Sequence, residues 1–106
     1  MIPRPMKPQW FQILLALAGA DRHGYAIQRA VLDQTGGHMR LWPAMLYRSL
    51  ATLEGAGLIE QVPPPPDEPE DERRQYYALT RAGRARLREE ADLLGAWAAA
   101  ARQELS

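Results

Sequence analysis

Residues 63–72 carry five prolines and five acidic side chains and nothing else. Proline has no amide hydrogen to give to a helix or a sheet ladder, and the crowded carboxylates repel one another. The segment is therefore an exposed loop. On one side, residues 58–62 form a short apolar stretch suited to a strand. On the other, residues 73–79 contain Tyr76-Tyr77 and read as the strand that returns. A hairpin in the second half of the chain is thus imposed by the loop between its arms.

Helical patterns occupy the rest. Residues 1–8 hold three prolines and read as a loose arm. Trp10, Phe11, Ile13, Leu14, Leu15, Leu17 and Ala18 are apolar around most of a helical circumference, so this helix is buried on two sides. A second helix begins near Asp21 or Arg22, runs through Tyr25, Ile27, Ala30 and Val31, and stops at Gly36-Gly37. Residues 38–42 form a linker or a short strand. Pro43 suits the first turn of a third helix, in which Leu46, Leu50 and Leu53 recur on one face and which Gly55 and Gly57 close. Thr80 caps a last helix that runs nearly to Ser106. No internal repeat is visible. The expected fold is mainly α with a small β-hairpin: a winged helix-turn-helix plus a long C-terminal dimerisation helix. A head over residues 1–79, with its wing loop at 63–72, and a helix over 80–106 would form one structural domain.

Composition narrows the function. A chain of 106 residues with 46% apolar side chains supports one core. Thirteen basic and thirteen acidic residues cancel, but they are not evenly spread. Six acids are Glu60, Asp67, Glu68, Glu70, Asp71 and Glu72, whereas residues 40–59 and 73–87 together hold seven arginines and one acid, Glu54. Cysteine is absent, which excludes disulfides, thiolate metal sites and a cysteine nucleophile, and fits a cytoplasmic location. His23 and His38 are too few for a metal site, and His23 reads as a hydrogen-bonded residue at a helix start. The acids of the loop lack the alternation of a calcium site. No glycine-rich phosphate loop follows a strand, and no hydroxyl has an evident base and acid partner. An enzyme is not expected, nor is a cofactor. Arg4 and Lys7 ahead of an apolar run, with Ala18-Gly19-Ala20 behind it, imitate a signal peptide. Gln12 interrupts that run, and it falls short of the roughly 20 residues that span a membrane, so it reads as the first helix of the domain.

Three pieces in sequence, HGYAI (residues 23–27), LYRSLATLEGAGLI (46–59) and RRQYYALTRAGRARL (73–87), resemble the PadR-like transcription regulators of the short type, with a single C-terminal helix. The resemblance covers roughly residues 11–90. It implies a three-helix head, a two-stranded wing and dimerisation through the first and last helices. It also implies a third helix that enters the major groove of operator DNA, and repression relieved by a small molecule. Two departures stand out. Ala44-Met45 occupies the place of a Gly-Thr or similar small polar pair, and the wing is acidic and proline-rich where family wings are often basic.

Helical geometry orders the candidate DNA-binding residues. With Leu46, Leu50 and Leu53 inward, Ala44, Met45, Arg48, Ala51 and Thr52 point outward, and Tyr47 and Ser49 lie on the flanks. Arg48 is the one charge on that face before Glu54, and its guanidinium suits a guanine edge or a phosphate. Tyr47 either donates to a phosphate or is a core aromatic with its hydroxyl at the rim. Arg73 and Arg74 point to opposite sides of a strand, so at most one faces DNA. Together with Arg40, these residues make up the expected interface to double-stranded DNA. Arg81 and Arg84 oppose the dipole at the start of the last helix, which favours an anionic partner such as phosphate over a local structural role, although solvated bases are the commoner reading for each.

The last helix carries Leu87, Ala91, Leu94, Ala98, Ala101 and Leu105 at spacings of four and three, a heptad seam. At about 1.5 Å per residue it is too long for the head to cover, so a homodimer is expected, with Trp10, Phe11 and Leu14 of the first helix and Trp97 contributing. Trp10, Phe11 and Trp97 beside small alanines would leave room for a planar aromatic small molecule; alternatively Trp97 fills the core. The functional expectation is a homodimeric repressor released by an effector. The alternative, a winged-helix protein–protein interaction module, draws on the zero net charge and the acidic wing.

Overall fold

The chain is described by a computed structural model over residues 2–67 and 74–106. Its elements are α1 (Pro8–Gly19), β1 (Arg22–His23), α2 (Gly24–Gln34), α3 (Pro43–Gly55), β2 (Ile59–Val62), β3 (Tyr76–Leu79) and α4 (Arg81–Leu105). Pro8 and Pro43 stand at the starts of α1 and α3, where the missing amide hydrogen is not needed. Ile13, Leu14, Ala16 and Leu17 of α1 are buried against Ile27 and Val31 of α2 and Leu46, Leu50 and Leu53 of α3. The three inward leucines of α3 are therefore the ones its spacing predicts.

The sheet differs from the expected hairpin. Arg22 and His23 form a two-residue strand paired with Tyr77 and Tyr76, so the antiparallel sheet has three strands in the order β1-β3-β2. Helix α2 consequently starts at Gly24, two or three residues later than its pattern suggests. His23 leaves the strand as its N-cap, accepting the Ala26 amide hydrogen at Nδ1 over 3.2 Å. Ile59 to Val62 pair with Leu79 to Tyr76 across the hairpin. Residues 38–42 contain no strand. The hairpin loop beyond Asp67, and Arg73 after it, fall outside the described residues.

One junction locks the sheet to α4. Gly57, with φ +77°, ends α3 and lets the chain reverse into β2. Thr80 then donates its hydroxyl to the Gly57 carbonyl at 2.7 Å and its amide to the Leu58 carbonyl at 3.1 Å. The Thr80 oxygen also accepts the Gly83 amide at 2.9 Å, the cap expected of it. Gly83 packs so closely that a Cβ there would stand 1.9 Å from the Leu58 carbonyl oxygen.

The N-terminal arm is not loose. Met6 is buried in the core, and its amide donates to Glu90 Oε2 of α4 at 2.9 Å. Arg86 of α4 donates to the Pro3 carbonyl, also at 2.9 Å, and Arg4 pairs with Glu89. Beyond this arm α4 leaves the body of the protein: residues 95–106 are all exposed, on a molecule 52 Å long and 28 × 26 Å across. Among the described residues no helix is long and apolar enough to cross a membrane.

Candidate nucleic-acid interface

Helix α3 presents the outer face its wheel predicts. Ala44, Met45, Tyr47, Arg48, Ala51 and Thr52 are exposed. Ser49 is the exception: it is 4% exposed and lines a cleft on the α1 side of the helix, off the outer face. Its position sits one turn from both Leu46 and Leu53, close enough to the inward stripe for α1 to cover it. Arg40 lies before the helix, its guanidinium 5.5 Å from the centre of the exposed Trp42 ring.

Tyr47 is not a core aromatic. It is 56% exposed, and the backbone of Gly24 packs against its ring end: a Cβ at Gly24 would meet the hydroxyl at 3.0 Å. The glycine of the HGY triplet thus lets the start of α2 approach α3, leaving the phenol at the surface. His23, Tyr25, Tyr47, Arg74 and Gln75 surround a cleft of about 220 Å³ there. Tyr25 is exposed and carries Arg29 over its ring at 5.9 Å. The sequence pattern runs α2 through Tyr25, Ile27 and Val31, but Tyr25, two residues after the strand, lies outside while Ile27 and Val31 are buried. Deeper in the same region, burial raises the Tyr77 phenol above its usual value of 10.0, and Glu54 and Tyr47 add to the effect.

A second cleft, of about 340 Å³, lies on the other flank of α3. Lys7, Gln9 and Trp10 line it from the start of α1, and Met45, Arg48, Ser49 and Thr52 from α3. Lys7 and Gln9 were not expected here, because the arm gives no periodic signal that would fix where it runs.

The residues expected at a dimer seam divide. Leu14 is fully enclosed by its own chain, so it is corrected from a contact between copies to a core residue. Trp10, Phe11 and Leu87 are half-buried against that same core. Leu94 is half-buried, whereas Ala91, Ala98, Ala101, Leu105 and Trp97 are exposed, Trp97 by 51%. Trp97 therefore does not fill its own chain's core, and Trp10 lines the α3 cleft.

Residues 13–89, from the middle of α1 to the first third of α4, match the Transcriptional regulator PadR-like family. The chain belongs to this family. A PadR family transcription regulator from hypervirulent Clostridium difficile R20291 shares the fold with a TM-score of 0.77 at 22% identity, over 94% of this chain and 100% of that one. Bacillus subtilis PadR, solved in complex with operator DNA, aligns with a TM-score of 0.64 at 20% identity, over 78% of this chain and 46% of that one. An uncharacterised 37.1 kDa protein in transposon TN4556 of Streptomyces fradiae is 42% identical over 79 residues, which is 74% of this chain. The match covers only 21% of that relative's length. The PadR-like three-helix head seen here carries a three-stranded sheet, a docked N-terminal arm and a projecting α4.

Proposed function

We propose that this PadR-like chain regulates transcription by laying α3 in the major groove of duplex operator DNA, as a homodimer joined along α4. The observation that carries the reading is the outer face of α3: small or apolar Ala44, Met45 and Ala51 around an exposed Arg48 that pairs with no carboxylate among the described residues. Such a face fits a groove floor, with thymine methyls against the apolar side chains and a guanine or phosphate against the guanidinium. Bacillus subtilis PadR, which shares the fold, was solved in complex with operator DNA, and this supports a DNA partner for the present chain. The exposed arginines Arg40, Arg74, Arg81 and Arg84 supply positive charge that the neutral total conceals.

The test is fluorescence anisotropy with labelled duplex from upstream of the chain's own coding region, against an unrelated duplex, across a salt series. If a dimer neutralises roughly eight phosphates, log K falls against log salt with a slope near −7. A protein that binds neither duplex at about 50 mM salt is a protein-interaction module instead.

Repression with release by a small molecule completes the reading, and a planar aromatic compound is the effector class that the half-exposed Trp97 fits. Titration with such compounds should quench tryptophan emission saturably in the wild type and not in Trp97→Ala. Equal quenching in both removes Trp97 from the effector site.

A further inference from the structure

The cleft between α1 and α3 has features that neither the core nor the outer face of α3 explains. The Ser49 residue is 4% exposed, and its hydroxyl makes no hydrogen bond among the described residues. No sealed polar side-chain atom there is left unpaired, so the Ser49 oxygen opens into the cleft its residue lines. Helical serine and threonine often turn back onto the preceding turn instead. Thr52 does so, donating to the Arg48 carbonyl at 3.1 Å. Ser49, one turn earlier, does not.

The charges around the same cleft are unbalanced in the same sense. Lys7 is the N-cap of α1, no side chain caps that helix, and its first turn holds no acid. A cation at a helix N-terminus adds positive charge to the positive end of the dipole, which disfavours the fold. Lys7 is nevertheless held in place. The Met6–Glu90 hydrogen bond pins the preceding residue, and the Lys7 ammonium rests 5.1 Å from the centre of the Trp10 ring. Arg48 reaches the cleft from α3, and neither cation has a carboxylate partner among the described residues. Two cations without a carboxylate partner among the described residues, a hydroxyl open to the cleft and an uncapped helix start converge on one space.

We propose that the cleft between α1 and α3 seats a phosphate of the DNA backbone, with Lys7 and Arg48 neutralising it and the Ser49 hydroxyl donating to it. The proposal rests on the DNA-binding reading above and adds to it a strand contact made by the N-terminal arm. DNA is the source of the phosphate because the cleft shares Met45, Arg48 and Thr52 with the face that would lie in the groove. A major groove about 12 Å wide brings a sugar-phosphate backbone along each flank of a helix lying in it. The Arg86–Glu90 pair acquires a role in this arrangement: by fixing the arm on α4 it fixes Lys7 beside α3.

The experiment measures affinity for operator and unrelated duplex across a salt series, for wild type, Lys7→Ala and Ser49→Ala, with a thermal melt of each. Lys7→Ala should weaken both duplexes by a similar factor, about 3- to 10-fold at 150 mM salt, and reduce the magnitude of the salt slope by about 1 per seat. Ser49→Ala should weaken both duplexes about 2- to 5-fold without lowering the melting temperature, since it removes a hydroxyl with no partner in the protein. Ser49→Thr, which keeps the hydroxyl, should recover part of that loss. Wild-type binding that Lys7→Ala leaves unchanged in affinity and slope overturns the seat while leaving the DNA-binding reading intact. A loss confined to the operator, with the slope unchanged, also overturns it, because that is base reading. Inorganic phosphate that stabilises the wild type but not Lys7→Ala, with DNA binding unaltered by the substitution, assigns the cleft to a free anion and overturns the DNA source. A wild type that binds neither duplex overturns both readings together.

Discussion

Arg86 Nη1 lies 2.7 Å from Glu90 Oε1, one turn along α4, and the other Glu90 oxygen accepts the Met6 amide at 2.9 Å. The Glu90 side chain is 1% exposed. A pair this buried stabilises less than its short distance suggests, because both ions lose their hydration. Removing one partner is a different matter, since it strands the other charge in the core. Glu90→Ala should destabilise the protein by about 3 kcal/mol, lowering the melting temperature by roughly 12 °C or more. It should also free the arm, so that protease cuts between Arg4 and Lys7 well below the melting temperature. Replacing both residues with leucine should recover much of the stability but not the arm's attachment, which depends on Glu90 as acceptor.

That relationship marks where the sequence stops being legible. Leu46, Leu50 and Leu53 announce the inward face of α3 because burial repeats with the helical period, and Thr80 announces its cap because the cap is local. Local rules also located Tyr76-Tyr77 in a strand. The docked arm has no period, and its partners stand more than 80 residues away. Strand β1 is two residues long and carries no alternation of its own; only pairing with Tyr76 and Tyr77 makes it a strand. The outer face of α3 was likewise legible, whereas the cleft beside it needed Lys7 to be placed by Glu90 and Ser49 to be covered by α1. Leu14 was misassigned to a seam because a helix apolar on two sides does not say which side faces its own chain.

Two glycines of α4 should respond oppositely to alanine. At Gly83 the new Cβ would collide with the Leu58 backbone carbonyl, which cannot move without disturbing β2. Gly83→Ala should cost about 3 kcal/mol or abolish folding. At Gly95 a Cβ meets nothing within 4 Å, and the residue is exposed in mid-helix. Gly95→Ala should stabilise by roughly 0.5–1 kcal/mol through helix propensity. Thermal or denaturant melts of the two variants decide; equal effects would mean that α4 does not rest on β2 as described.

Tyr77 should make the fold sensitive to alkali. Its phenol is raised above 10.0, first by burial and then by Glu54 and Tyr47. The folded state therefore holds the proton more tightly than the unfolded chain does. The stability this contributes is complete below pH 10 and is lost as the pH rises through the folded-state value. Melting temperatures should accordingly fall more steeply above about pH 10 for wild type than for Tyr77→Phe, and show no such difference between pH 6 and 9. Parallel curves across the whole range would contradict this placement of the phenol.

Arg48→Ala should separate base reading from phosphate contact. If the guanidinium grips a base edge, the substitution costs on the order of 1–3 kcal/mol for the operator and much less for unrelated duplex. If it serves the backbone alone, both duplexes weaken alike and the salt slope shrinks by about 1. An Arg48→Ala protein with unchanged affinity for both would take the residue out of the interface. The side chain is exposed, so its removal should leave the stability within about 0.5 kcal/mol of wild type, and loss of binding will not reflect loss of fold.

Helix α4 should join two copies of the chain. Ala91, Ala98, Ala101 and Leu105 follow heptad spacing, and from residue 95 onwards nothing in the same chain covers them. Such a long uncovered helix is marginal alone in water, since helices draw most of their stability from packing an apolar face. A second copy supplies that packing, and small alanines let the two helices approach closely. Ala98 lies in the uncovered part of the seam and contacts none of the head, so Ala98→Glu tests the dimer without touching the protomer's core. Light scattering at tens of micromolar should give about twice 11.9 kDa for wild type and 11.9 kDa for the variant. Circular dichroism should show helix loss confined to a fraction that the last 12 residues can account for. Trp97 offers a second readout, because a ring half-exposed in the protomer becomes covered in the dimer. Its emission should shift to the red on dilution of the wild type and already be red-shifted in Ala98→Glu. A wild type that scatters as a monomer at these concentrations would leave α4 without the partner its seam requires, and would remove the two-fold arrangement of α3 helices on which operator binding as a dimer depends.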